Sequence, residues 1–94
     1  MPSRWDAKTD SNQAEIATAL RKCGRLVVST HRLGQGFPDL VVGYMGRWFL
    51  GEVKTKGEGL NPREMEWHVK ARKYAPTHIW YSATEAIRDT EGLP

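Results

Sequence analysis

An α/β sandwich around a mixed β-sheet is the expected fold, and three features of the chain point to it. Helix-like and strand-like segments follow one another in the order αβββαβα. The strand-like runs are short and rich in β-branched and aromatic residues. Two of them form a hairpin, and a helical crossover then brings the last strand in parallel to a neighbour, which mixes the sheet.

Residues 11–23 read as the first helix. Asp10 or Ser11 caps its start, Ile16, Ala17, Ala19, Leu20 and Cys23 form one apolar stripe, and Gly24 stops it. Leu26-Val-Val-Ser-Thr30 reads as a strand, and Gly34-Gln-Gly36 as a loop. Residues 38–44 and 47–54 are the arms of the hairpin, with Met45-Gly46 as its tight turn. After a second loop at Lys56-Gly-Glu-Gly59, Asn61 caps and Pro62 opens a helix that Pro76 ends. Thr77-His-Ile-Trp-Tyr81 is the fourth strand. Ser82, with Glu85 three residues on, resembles a capping box for a last helix to about Asp89. Trp5 and Gly92-Leu-Pro94 read as tails, disordered or swapped between subunits.

Ninety-four residues make one domain, with its core over about residues 11–87. At 39% hydrophobic and 27% charged, the chain is that of a folded globule. The lone Cys23 excludes an intramolecular disulfide and a multi-cysteine zinc or iron–sulfur site. No apolar run approaches the roughly 20 residues of a membrane span, and the start has no signal-peptide stretch, so a cytoplasmic protein is expected. Charge is unevenly spread. Residues 20–73 carry eleven basic and five acidic residues, a net +6 within a total of +3, which suits a polyanion such as nucleic acid.

The hairpin places the chemistry. With a two-residue turn at Met45-Gly46, Tyr44 faces Arg47 and Asp39 faces Glu52, their Cβ atoms about 5 Å apart on one side of the sheet. Lys54 follows two residues later on the same side. Two convergent carboxylates suit a hard cation such as Mg²⁺ or Mn²⁺, and a lysine beside them can orient water or offset charge on a phosphate. The set fits metal-assisted phosphodiester hydrolysis. The alternative is a surface cross-strand ion cluster. Against it, the strand carrying Glu52 is apolar on both faces, with Trp48 and Leu50 on one and Phe49 and Val53 on the other, as in a central strand where unpaired carboxylates are costly.

Gly36-Phe-Pro-Asp39-Leu-Val-Val, thirteen positions from Asp39 to Glu52, then Glu52-Val-Lys54, resembles the PD-(D/E)XK nuclease superfamily. Together with Thr55-Lys-Gly57 and Leu60-Asn-Pro-Arg-Glu-Met-Glu-Trp67, these residues resemble the stand-alone VRR-NUC domains of phage and bacteria within it. That resemblance implies a restriction-endonuclease-like αβββαβ sandwich with the sheet flanked by helices. It implies that Asp39, Glu52 and the main-chain carbonyl of Val53 hold Mg²⁺ or Mn²⁺, that Lys54 is the catalytic lysine, and that Glu15 is the acidic residue of the first helix. Glu15 sits beside the apolar stripe; an exposed helix carboxylate is the other reading. The chain departs from the family at Glu64, where a glutamine is common.

The resemblance further implies a DNA repair type of endonuclease in a bacterial or phage-infected cell, cutting branched DNA such as four-way (Holliday) junctions as a homodimer. Flap or nicking cleavage by a monomer, and a non-catalytic DNA-binding module, are the alternatives. The second helix carries two apolar stripes, Met65 and Val69 on one and Trp67, Ala71 and Tyr74 on the other; one covers the sheet and the other suits a second copy. Arg63, Glu66, Lys70 and Lys73 share a polar arc that either tracks a phosphate backbone or is a solvated face with a Glu66–Lys70 pair. Arg32 and Lys56, on the two loops, are the further candidate nucleic-acid contacts, with a plain surface arginine as the other reading of Arg32. His31, His68 and His78 share no ligand spacing and read as structural or DNA-contacting. Without a third glycine in register or a Gly-Lys-Ser/Thr loop, no nucleotide cofactor is expected.

Overall fold

A computed structural model describes the backbone of residues 4–91 and the side chains of residues 11–91. Among the described residues the order is α1 (Arg4–Lys22), β1 (Leu26–Ser29), β2 (Leu40–Tyr44), β3 (Arg47–Val53), α2 (Pro62–Ala71), β4 (His78–Trp80) and α3 (Ala83–Asp89), with a 3₁₀ turn at His31–Leu33. The chain is α/β with a four-stranded mixed sheet in the order β1-β2-β3-β4. The first three strands are antiparallel, and β4 joins β3 in parallel, as the crossover through α2 requires.

The hairpin has the expected register. Tyr44 pairs with Arg47 and Leu40 with Gly51. Met45 and Gly46 both take positive φ, 52° and 77°, the type I′ geometry whose twist matches the two strands. Asp39 lies one residue before β2, but Thr30 N–H donates to its carbonyl at 2.8 Å, which extends the pairing of β1 and β2 past it. Lys54 N–H likewise donates to the Trp80 carbonyl at 3.0 Å and carries the β3–β4 pairing one residue beyond Val53.

Helix α1 begins at Arg4 rather than at the Asp10–Ser11 cap expected from the sequence. Residues 4–10 contain no Gly or Pro, and Asp6 stands in the first turn where a carboxylate favours the helix dipole. Trp5 is therefore part of α1, not a tail; its side chain and residues 92–94 lie outside the described residues. The C-terminus is as expected. Gly24, at φ 80°, donates to the Arg21 carbonyl, and Arg25 N–H to the Leu20 carbonyl, a Schellman stop. Cys23, placed on the apolar stripe from sequence, is exposed, because the chain turns away at that point.

One sheet face is the core. Val27, Leu40, Val42, Val53 and Trp80 pack against Ile16, Ala17 and Leu20 of α1 and Ala86 of α3, with Phe49 and Ile87 at the margin. Buried Arg25 ties these layers: its guanidinium donates to Thr90 Oγ1 (3.1 Å) and to the Cys23 (2.7 Å) and Ile87 (3.2 Å) carbonyls, and lies 3.8 Å from the Tyr44 ring centroid. Ser82 caps α3 by accepting from Glu85 N–H. The return contact from Glu85 goes to Tyr81 N–H instead, one residue early, so the expected box is half formed. Helix α2 has the complete box between Asn61 and Glu64 and ends at Ala71, five residues before Pro76.

The other sheet face is only partly covered. Helix α2 lies beside Leu50 of β3 and packs on the loop before β2 through the Phe37–Trp67 edge contact and through Gly36, where a Cβ would come within 2.5 Å of the Arg63 carbonyl oxygen. Leu26, Val28 and Trp48, farther along, stay exposed. Strand β3 is central, as its apolar faces implied, but Trp48 is 66% exposed. Among the described residues no helix is long and apolar enough to cross a membrane.

Gly51 lies under the Trp80 ring, and a Cβ there would fall 2.0 Å from it. Gly51→Ala is expected to lower stability by about 2–3 kcal/mol in urea unfolding, since the ring has no space to retreat into. An unchanged midpoint would contradict this packing.

Candidate metal centre

Asp39 and Glu52 meet as the register requires, and both are buried, at 6% and 2% exposure. The Asp39 carboxyl is a direct neighbour of the Glu52 carboxyl. Asp39 has a contact on each oxygen: Oδ2 accepts from Val53 N–H at 2.9 Å, and Oδ1 lies 3.0 Å from His31 Nδ1. Burial pushes the Glu52 carboxyl up to about 10, helped by the Asp39 hydrogen bond and charge and by Glu64, with Lys54 opposing. Glu52 Oε1 is buried without a hydrogen-bond partner among the described residues.

Lys54 stands at the end of the same strand. Its ammonium lies 2.7 Å from Glu64 Oε1, and both side chains are mostly buried. Burial works against the ammonium, yet the hydrogen bond and charge of Glu64, with Glu52 and Glu58, outweigh it and hold the Lys54 pKa above that of an ordinary lysine. Glu64 is fixed in turn: its Oε1 also accepts from Asn61 N–H at 2.8 Å. The residue that departs from the family pattern is thus the direct partner of Lys54.

Helix α1 reaches this cluster through amides rather than through Glu15. Asn12 Nδ2 donates to the Lys54 carbonyl at 2.9 Å, and the buried Gln13 amide sits 3.1 Å from His31 Nδ1. Glu15 is exposed and faces away from the cluster. Gln13 recurs with Ile16, Ala17 and Leu20 on one helix face, and Glu15 falls outside it. Sequence reasoning therefore missed Asn12, Gln13 and the role of His31. The i, i+3 spacing of Gln13 with Ile16 was the available signal for one of them.

The remaining histidines are structural. His68 is buried on α2, its Nδ1 3.1 Å from Thr77 Oγ1 and its Nε2 unpartnered among the described residues. Burial pushes its pKa down, Arg72 and Lys54 adding to the effect and Glu64 opposing it. His78 stacks on Trp80 at 13°. Of the basic residues expected to meet nucleic acid, Arg63 and Lys70 wall one cavity with Gln35, Glu66 and Trp67. Lys70 also lies 3.4 Å from Glu66, the expected helix pair. Arg32, Lys56 and Lys73 are exposed on separate elements.

Among the described residues no three His, Cys, Asp and Glu side chains group as metal ligands, so the side-chain donor set is the carboxylate pair. That pair suits a hard cation: two oxygens on one side, one of them without a partner. Val53 N–H points at Asp39, and the N–H and C=O of one strand residue point the same way, so the Val53 carbonyl opens toward the pair. No protein-family model, curated protein or solved structure matches the chain.

Glu52 binds its proton far above an unfolded carboxyl, whose ordinary value is 4.5, so its contribution to stability is complete below about pH 4.5 and is lost as pH rises toward 10. In metal-free buffer the thermal midpoint should fall between pH 5 and pH 9. Glu52→Gln should flatten that slope, by up to about 1.4 kcal/mol per pH unit. A slope unchanged by the substitution would refute the proton on Glu52.

Proposed function

We propose that the chain is a Mg²⁺- or Mn²⁺-dependent endodeoxyribonuclease of the PD-(D/E)XK superfamily, of VRR-NUC type and restriction-endonuclease-like fold. In this reading it cuts branched DNA such as four-way junctions. The observation that carries the reading is the buried Asp39–Glu52 pair, with an unpartnered oxygen on Glu52 and the Lys54 ammonium at the end of the same strand.

Asp39, Glu52 and the Val53 carbonyl would hold the cation. When bound, it supplies Lewis acidity toward the phosphate and lowers the pKa of a bound water. His31 and Val53 N–H keep the Asp39 carboxyl aligned. Glu64 keeps Lys54 charged and on the site side of β3, so its role is to offset negative charge developing on the phosphate rather than to take a proton. Asn12 braces the Lys54 carbonyl, which fixes where that side chain starts. A homodimer belongs to the same proposal. Trp67 and Ala71 are half-buried toward the sheet, which leaves Met65 and Val69, exposed on the other stripe of α2, for a second copy.

The test is cleavage of labelled four-way junction, flap and duplex DNA with Mg²⁺, Mn²⁺ or chelator. Junction cleavage that chelator abolishes is expected. Asp39→Asn and Glu52→Gln should each lower it by about 10³-fold or more, and Lys54→Ala by about 10²-fold, with DNA binding retained. Cleavage that survives both carboxylate changes would overturn the metal assignment, and binding without cleavage under every metal would favour a non-catalytic module. Glu64→Gln should cost about tenfold in rate and nothing further in the Lys54→Ala background, because it acts through that lysine. Additive losses would separate the two residues.

A further inference from the structure

Helix α2 and strand β3 enclose an apolar cleft of about 360 Å³, formed chiefly by Leu50, Trp67, Ala71 and Tyr74, with Lys70 on its rim. Trp67 and Lys70 also wall the polar cavity of about 220 Å³ that contains Arg63. One indole therefore separates an apolar slot from a basic one. The indole is rigidly held: the Phe37 ring meets it edge-on at 5.1 Å, and its Cβ packs against Gly36. Tyr74 is 88% exposed, an aromatic ring left open among the described residues. The Lys70–Glu66 pair beside it is open to water, so Lys70 can exchange that carboxylate for a phosphate at little cost.

This chemistry selects its occupant. A flat apolar body suits a cleft walled by Trp67, Ala71 and Tyr74, and an anion attached to it would lie beside Lys70 on the rim. A nucleotide has that form, and stacking of bases on aromatic side chains beside basic residues is how single strands are held without regard to sequence. The position matters as much. Leu50 and Glu52 project from the same face of β3, two residues or about 7 Å apart, roughly one nucleotide of an extended strand.

We propose that the Trp67–Tyr74 cleft is a nucleobase subsite that holds an unpaired base of the bound strand one nucleotide from the Asp39–Glu52 pair. Substrates would then be DNA in which a nucleotide beside the cut is unpaired or easily splayed, as at a branch point. The link to cutting rests on the proposed nuclease reading; the binding of a base does not.

The experiment is fluorescence anisotropy in chelator, with a short labelled oligothymidylate, an abasic oligomer of the same length and charge, and a duplex. The oligothymidylate should bind about tenfold tighter than the abasic strand. Tyr74→Ala should remove most of that preference while leaving abasic binding unchanged, and Tyr74→Phe should restore it. Lys70→Ala should weaken both strands. Tyr74 and Lys70 are exposed, so these variants should fold, which circular dichroism checks. Equal affinity for the two strands, or a Tyr74→Ala loss shared by both, would overturn the subsite. So would a Tyr74→Ala change that turns a dimer into a monomer in light scattering without altering base preference, since the cleft would then be an interface between copies. Base-dependent binding in a protein that cuts nothing under any metal would sustain the subsite and sink the nuclease; cleavage without base preference would do the reverse.

Discussion

The two-residue turn at Met45-Gly46 is the constraint on which the rest depends. A hairpin slipped by one residue would turn every side chain of one arm to the opposite face of the sheet. With Tyr44 opposite Arg47, the count back along both arms leaves no choice but to bring Asp39 and Glu52 together. Two carboxylates at that spacing repel, and burial makes the repulsion worse. Burial favours the protonated form of Glu52, while Asp39, not Glu52, has the contacts with His31 Nδ1 and Val53 N–H. Glu52 is left with a buried oxygen that has no partner among the described residues.

The unequal covering of the sheet follows from the same alternation. Val27, Leu40, Val42 and Val53 point to one side, where α1 and α3 close the core. Glu52 and Lys54 point to the other, where α2 reaches only part of the surface. Without α2, Lys54 would lack Glu64. The partial cover leaves Leu26, Val28 and Trp48 exposed, and it creates the cleft between Leu50 and Tyr74.

Element order, the mixed sheet and the pairing of Asp39 with Glu52 were legible in the sequence, because strand alternation and turn length are local properties that count residues. What failed depended on partners far along the chain. Glu15 was the acidic residue of the first helix, yet the helix presents Gln13 and Asn12 to the site, because the burial of Ile16 and Leu20 sets its rotation. His31 had no spacing to announce it, since its partner Asp39 is reached by the chain doubling back through Gly34 and Gly36. The start of α1 was misplaced because Asp10 and Ser11 favour a cap, and that signal outweighed the lack of Gly or Pro in residues 4–10. Glu64 was visible only as a departure. Its contact with Lys54 needs the placement of α2, which Gly36 allows by letting the Arg63 backbone come close.

That departure fits the charge of the site. Lys54 and Glu64 form a pair with no net charge, fixed at one end by the capping box of α2. A glutamine at 64 would leave the lysine cation uncompensated beside the carboxylates, and that cation would offset much of the charge a metal needs. With glutamate there, Asp39 and Glu52 alone set the balance, and burial favours a proton on Glu52. On the proposed metal reading, exchange of that proton for one divalent ion would set two positive charges against two carboxylates, the neutral state that a low-dielectric site tolerates best. On that reading the glutamate would let a charged lysine stand beside a phosphate without repelling the cation bound next to it.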